Sequence, residues 1–250
     1  MKTNESKFLN KFFGAVALSL LLVSVTFLSS CEKEEEETTQ SVSEEEAAEV
    51  VIASVEGETA GMTEQVEEAV IVMETEIDPA TDCGLTKNGT ISGSNLSGAL
   101  VTYNYNFSRS YTLTCDDNTE PQTLTYAFNG VADYNAPRMA SDDQVTASAT
   151  LTGLSSASAT ITFNQSYQRS GSQQSKIRNK RSFTSNLLIE SSNLVVNKNT
   201  YKIESGTASI SIDGAASDGS HFSYNGTIVF YGNEKATLSI DGGAEYIINL

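Results

Sequence analysis

The chain has 250 residues, with 32 Asp and Glu against 15 Lys and Arg and one histidine, for a formal charge of −17. Acidity on this scale argues against a nucleic-acid-binding protein, which needs a basic face. The charge is also uneven: Glu32 to Asp78 holds 17 acids and one base, Lys33, a net of −16, while residues 79–250 hold 14 acids and 11 bases, a net of −3. The acidity therefore reads as belonging to a tether, attached to a nearly neutral β domain.

The N-terminus places Lys2, Lys7 and Lys11 before an apolar run from Phe12 to Leu28. Positive charge ahead of an apolar core is the layout of a secretory signal, because the basic end stays cytoplasmic while the core enters the bilayer. At 17 residues, interrupted by Gly14, Ser19, Ser24 and Thr26, the run is short for a spanning helix of about 20 residues. It ends in Leu28-Ser29-Ser30-Cys31, a branched residue, two small ones and a cysteine. This tetrapeptide resembles the lipobox of bacterial lipoproteins. The resemblance implies that residues 1–30 are a signal peptide and that Cys31 carries a diacylglyceryl group and further acylation, enough chains for stable anchoring. Glu-Lys-Glu-Glu-Glu-Glu at 32–37 resembles the export signal of surface lipoproteins in Bacteroidota, and a plain solvated tether is the alternative. The expected address is the outer membrane, with cell-surface display as the further possibility.

Residues 31–46 are expected to be a disordered acidic tether. Over 44–78 the pattern predicts short helices. Ser43 and Glu46 have capping-box spacing, and Ala48, Val51, Ile52 and Val55 share one helical face from Glu44 to Val55. Gly57 and Gly61 interrupt it, and a second stretch, Thr63 to Met73, aligns Met62, Val66, Ala69, Val70 and Met73. Their polar faces are acidic, which disfavours anionic lipid, so packing on the β domain or on each other is expected.

From Thr86 the rhythm becomes period two, as in Val101, Tyr103, Tyr105 and Phe107 alternating with Thr and Asn, or Ala157, Ala159, Ile161 and Phe163. Alternation with Ser, Thr and Asn on the other face predicts antiparallel strands with one face buried. Asn129-Gly130, Asp213-Gly214, Asp218-Gly219, Asn225-Gly226, Gly232-Asn233 and Asp241-Gly242 read as hairpin turns. The count is nine or ten strands over 82–250, a mainly β domain formed as a long-stranded antiparallel meander, barrel-like or sandwich. Ser211-Ile212-Asp213-Gly214 and Ser239-Ile240-Asp241-Gly242 read as one hairpin ending used twice. The stretch from Gly84 on, with Tyr103-Asn104-Tyr105-Asn106-Phe107, Ser110-Tyr111-Thr112-Leu113-Thr114-Cys115, Pro137-Arg138-Met139 and Tyr201-Lys202-Ile203, resembles uncharacterised outer-membrane and surface lipoproteins of Bacteroidota. That resemblance implies envelope residence and no particular activity.

With Cys31 taken by lipid, Cys83 and Cys115 form an even pair in an exported chain, and a disulfide is expected. Two cysteines and His221, without close spacing, make a metal site the weaker reading. His221 has no nucleophile elbow beside it and reads as a strand-end residue rather than a catalytic base. Asp116, Asp117, Asp142, Asp143, Asp213, Asp218 and Asp241 read as turn aspartates. Tyr103, Tyr105 and Tyr111 would be the best carbohydrate platforms if their face were open. Lys176, Arg178, Lys180 and Arg181, with Arg169 nearby and Gly171 to Ser175 in front, read as a basic hairpin connection. It is a candidate contact for lipopolysaccharide phosphates or another acidic envelope partner. No cofactor and no metal are expected. The leading expectation is a membrane-anchored, non-enzymatic binding or structural module. A carrier holding a lipid in a half-barrel, and a carboxylate-based hydrolase, are the alternatives.

Overall fold

The computed structural model describes residues 42–95, 98–178 and 180–250; residues 1–30, expected to be a signal peptide, Cys31 and the acidic run 32–37 lie outside the described residues. Helix α1 spans Glu44–Val55, as the sequence predicts, and the capping box is made: Ser43 N donates to Glu46 Oε2 at 3.0 Å and Glu46 N to Ser43 Oγ at 3.3 Å. Such a cap contributes about 1 kcal/mol. Glu44, Glu45 and Glu46 in the first turn suit the positive end of the helix dipole. A 3-10 turn at Gly57–Thr59 leads to α2, Met62–Thr75. Gly61 is required at this bend, since a Cβ there would strike the backbone of Ser54 and Glu56. Helix α3, Pro79–Asp82, ends the segment.

Ten strands follow: β1 Thr86–Ser94, β2 Thr102–Cys115, β3 Pro121–Asn135, β4 Met139–Thr152, β5 Thr160–Ser175, β6 Ser182–Asn197, β7 Ile203–Ala216, β8 His221–Gly232, β9 Lys235–Ile240 and β10 Glu245–Asn249. They pair antiparallel in chain order in a single sheet, each with its sequence neighbours, so β1 and β10 are its two edges. The meander is therefore an open sheet. Carboxylates on α2 reach Arg109 on β2 and also Lys198 and Lys202 in the turn after β6. Those bases are four strands apart, about 20 Å on a flat sheet, so the sheet curls around the helix.

Inside the curl lies one apolar core. Phe107, Leu113, Leu124, Phe163, Tyr167, Ile189, Ile212, Ile228 and Leu238 from the strands meet Val51, Val55, Val66, Val70 and Val72 from the helices. The helices are enclosed on most sides. On α1 not only Ala48, Val51 and Val55 are buried but also Ala47, Val50, Ala53 and Ser54, while Ile52, expected on the buried face, is half-exposed. The space inside the sheet is thus filled by the helical segment rather than by strand side chains meeting across it. Twelve of the 17 acids assigned to a tether, Glu44 to Asp78, belong to this segment. The disulfide Cys83–Cys115 joins the end of α3 to the end of β2, with Cα atoms 5.7 Å apart. Closing a loop of this length stabilises by about 3–4 kcal/mol in the chain-entropy account.

Three turn readings are corrected. Gly130, Gly214 and Gly226 lie inside β3, β7 and β8, where a Cβ would run into the neighbouring strand. They are close-approach glycines that let a broad sheet bend. Asp218-Gly219 and Asp241-Gly242 do lie at turns, and β8 passes to β9 through Asn233 and Glu234, both at positive φ as a two-residue hairpin requires. The first Ser-Ile-Asp-Gly is accordingly mid-strand, and only the second ends a hairpin. Gly171 to Ser175, read as part of a connection, belong to β5.

Candidate functional site

Alternate turns gather at each end of the sheet, and the first described residue, Val42, lies at the end carrying the β3–β4, β5–β6, β7–β8 and β9–β10 turns. Tyr224 Oη donates to Val42 O at 2.9 Å, while Glu44 Oε1 accepts from Ala244 N at 2.7 Å and Tyr246 Oη at 3.1 Å. Glu45 is held by Arg178 at 2.6 Å and Arg138 at 2.5 Å, and Arg138 also bonds Glu49 at 2.5 Å. These guanidiniums hold the Glu45 carboxyl below its ordinary range. The basic connection therefore meets acid inside its own chain. Lys176 Nζ donates to Asn135 Oδ1 and Ala136 O. Lys180 and Arg181 complete the six-position turn 176–181, where Arg178 and Lys180 sit at positive φ.

Similar pairs fasten α2. Glu68 and Glu76 grip Arg109 at 2.8 and 2.7 Å, Lys202 reaches Glu67 at 2.7 Å, and Tyr105 Oη donates to Glu64 at 3.2 Å. Tyr111 Oη donates to Glu76 at 3.2 Å. Tyr105 and Tyr111 thus face α2 and not solvent, which removes them as open carbohydrate platforms. Tyr103, half-buried, stacks toward Tyr105 with ring centroids 6.2 Å apart. It lines a groove of about 580 Å³ with Glu58 and the exposed Leu100.

Asp142 and Asp143 are not turn residues, and Arg169 is not part of a surface cluster. Asp143 on β4 and Arg169 on β5 are 2 % and 1 % exposed and pair at 2.5 Å. Gln173 Nε2 donates to Asp143 Oδ1 at 2.8 Å, Ser141 Oγ donates to Oδ2, and the guanidinium lies 5.0 Å from the Tyr134 ring centre. Gly171 directly opposes Asp143, and a Cβ there would collide with that carboxylate. Alternation carried the signal for this cluster: Asp143, Arg169 and Gln173 fall in register with the inward apolar positions of their strands. His221 is exposed at the first position of β8.

The two edges differ. Along β10 runs α1, with Glu44 on the Ala244 amide at one end and Glu56 facing the Asn249 amide at the other. Burial, helped by Glu58 and Glu49, pushes the Glu56 carboxyl up to about 7, with the Asn249 amide pulling the other way. Along β1, no group among the described residues bonds the outer backbone from Thr86 to Ser94.

The outer face is lined by Ser, Thr, Asn and Gln. Open grooves of about 570 Å³ across β4–β7 and about 460 Å³ across β2–β6 carry one carboxylate each, Asp142 and Glu190. A further groove holds Glu204 and Glu234 around Lys202; Glu204 accepts from Asn197 at 2.7 Å and Glu234 pairs with Lys202 at 3.4 Å. Among the described residues no group of three or more His, Cys, Asp or Glu could hold a metal ion, and no helix is long and apolar enough to cross a membrane. Comparison with described protein families, curated proteins and solved structures returns no match.

Proposed function

We propose that this protein is an outer-membrane lipoprotein, anchored through Cys31, that works as a binding or structural module of the envelope through its surface. The observation that supports this most is the filled interior: α1 and α2 occupy the concave face that a lipid carrier would keep open. Ligand contact is then left to edges, turns and shallow outer grooves, which suit a partner protein or envelope component better than a small substrate. Ten residues lie between Cys31 and Val42, eleven steps that limit the reach of that span to about 40 Å. In the 176–181 turn at the Val42 end, Lys176 and Arg178 are bonded within the chain, so lipopolysaccharide phosphates or an acidic envelope protein would be met there through Lys180 and Arg181.

The test is the intact mass of detergent-extracted protein together with its bound lipid. The reading expects loss of residues 1–30, acyl mass on Cys31 and no non-covalently held lipid. Retained residues 1–30 or an unmodified Cys31 would remove the anchor, and stoichiometric co-purified lipid would replace the module with a carrier.

A further inference from the structure

We propose that β1 pairs antiparallel with β1 of a second copy about a two-fold axis through Thr90, joining two sheets into one. This goes beyond the reading above and does not depend on the anchor. A nine-residue edge with unpaired backbone is a ready template for another strand, and proteins usually blunt such edges with charge, proline, a bulge or a covering element. β10, only five residues long, has acids at both ends, Glu44 on the Ala244 amide and Glu56 beside the Asn249 amide. β1 has a regular register with β2, no proline and one charged residue, Lys87.

The occupant follows from what the two-fold brings together. Centring on Thr90 sets Thr86 opposite Ser94 of the second copy, Lys87 opposite Gly93, Asn88 opposite Ser92 and Gly89 opposite Ile91. Directly opposed residues share a face, so Thr, Ser and Asn meet one another outside, and each large inner residue meets a glycine. Those glycines are not empty positions. Tyr105 lies over Gly93 and Arg109 over Gly89, so closely that a Cβ on Gly93 would sit 2.6 Å from the Tyr105 ring. The Tyr105 hydroxyl, 2.7 Å from that same point, is bonded to Glu64. Lys87 of the second copy therefore arrives beside a tyrosine ring backed by a carboxylate, a cation against a π face and a negative charge. The same contact forms twice by symmetry, and no like charges are opposed. At home Lys87 pairs with Asp82 at 2.5 Å, and Asp82 keeps the Asp78 amide at 2.8 Å when Lys87 leaves. An isologous contact of this kind closes on itself. A strand pair is small beside a standard interface of about 1,600 Å², so the dimer is expected to be weak and reversible.

Register-specific cross-linking of the full chain in its envelope tests this. Under mild oxidation Thr90→Cys should give a covalent dimer on non-reducing gels. Asn88→Cys and Ser92→Cys should each stay monomeric alone and cross-link when co-expressed, against an unsubstituted chain that gives no band. Lys87→Glu should cut the Thr90→Cys dimer at least tenfold, and adding Glu64→Lys should restore it. A Thr90→Cys chain that stays monomeric with the Cys83–Cys115 bond intact overturns the pairing. So does one that joins a different protein, or equal cross-linking of all three single variants.

Discussion

The edges of this sheet have opposite surroundings. At β10 the Ala244 amide just before the strand bonds Glu44 of α1, and the Asn249 amide at its far end faces Glu56, the residue that follows α1. At β1 nothing among the described residues takes that place, although the strand is nearly twice as long. The difference shows what the acidic N-terminal helices do. They plug the curl with their apolar sides, touch both ends of β10 with carboxylates, and reach across to Arg109, Arg138, Arg178, Lys198 and Lys202 with the remaining acids. Among the described residues, the ends of β10 are met by acids of the helical segment and the outer backbone of β1 is met by none.

The contrast can be broken from the middle or from one side. The largest effect is expected at Asp143→Ala, which strands the Arg169 charge in the core and should cost about 3–5 kcal/mol. Since β4 and β5 lie between the edges, chemical denaturation should show both halves of the sheet loosening together. Val51→Ala removes buried packing on α1 and should cost about 2–3 kcal/mol. Hydrogen exchange should then show β9 and β10 opening before β2 and β3; the reverse order would separate α1 from the β10 edge.

Glu56 adds a pH dependence to the covered side only. Its folded pKa is raised from 4.5 to about 7, so the penalty for charging it is absent below pH 4.5, grows between 4.5 and 7, and is complete above. Glu56→Gln should therefore stabilise the protein at pH 8 by about 1–2 kcal/mol, discounted for its partial exposure, and leave stability at pH 4 unchanged. Urea titrations at the two pH values measure this, and equal effects at both would remove the buried carboxylate from the account. The smallest effect belongs to Glu44→Ala, which frees the Ala244 amide and the Tyr246 hydroxyl. It should cost about 1 kcal/mol and raise exchange at Ala244, with no change at β1.

Much of this was legible in the sequence. Period two from Thr86 marks the strands, Ser43 with Glu46 marks the start of α1, and the cysteine count gives the disulfide. The misreadings have physical causes. A glycine after Asn or Asp signals a turn, yet at 130, 214 and 226 it serves close approach between strands, which depends on the neighbouring strand and is invisible locally. Asp143 and Arg169 look like solvated charges one at a time and become a core pair only when β4 and β5 are set in register. The acidity of residues 44–78 suggests a solvated segment, because the bases that match it lie between 33 and 135 residues away in the chain, from Arg109–Glu76 to Lys202–Glu67. Of the candidate site, the basic turn 176–181 was legible as a cluster, but its partner Glu45 was not.

The central claim is that α1 belongs to the interior of the β sheet. Native-state hydrogen exchange on the full chain tests it most directly, by following the amides of α1 from Val50 to Val55 beside those of β5 and β6. The account predicts that these helix amides exchange only through global unfolding, with the same free energy as the central strands. Exchange of α1 within seconds while β5 and β6 remain protected would contradict it.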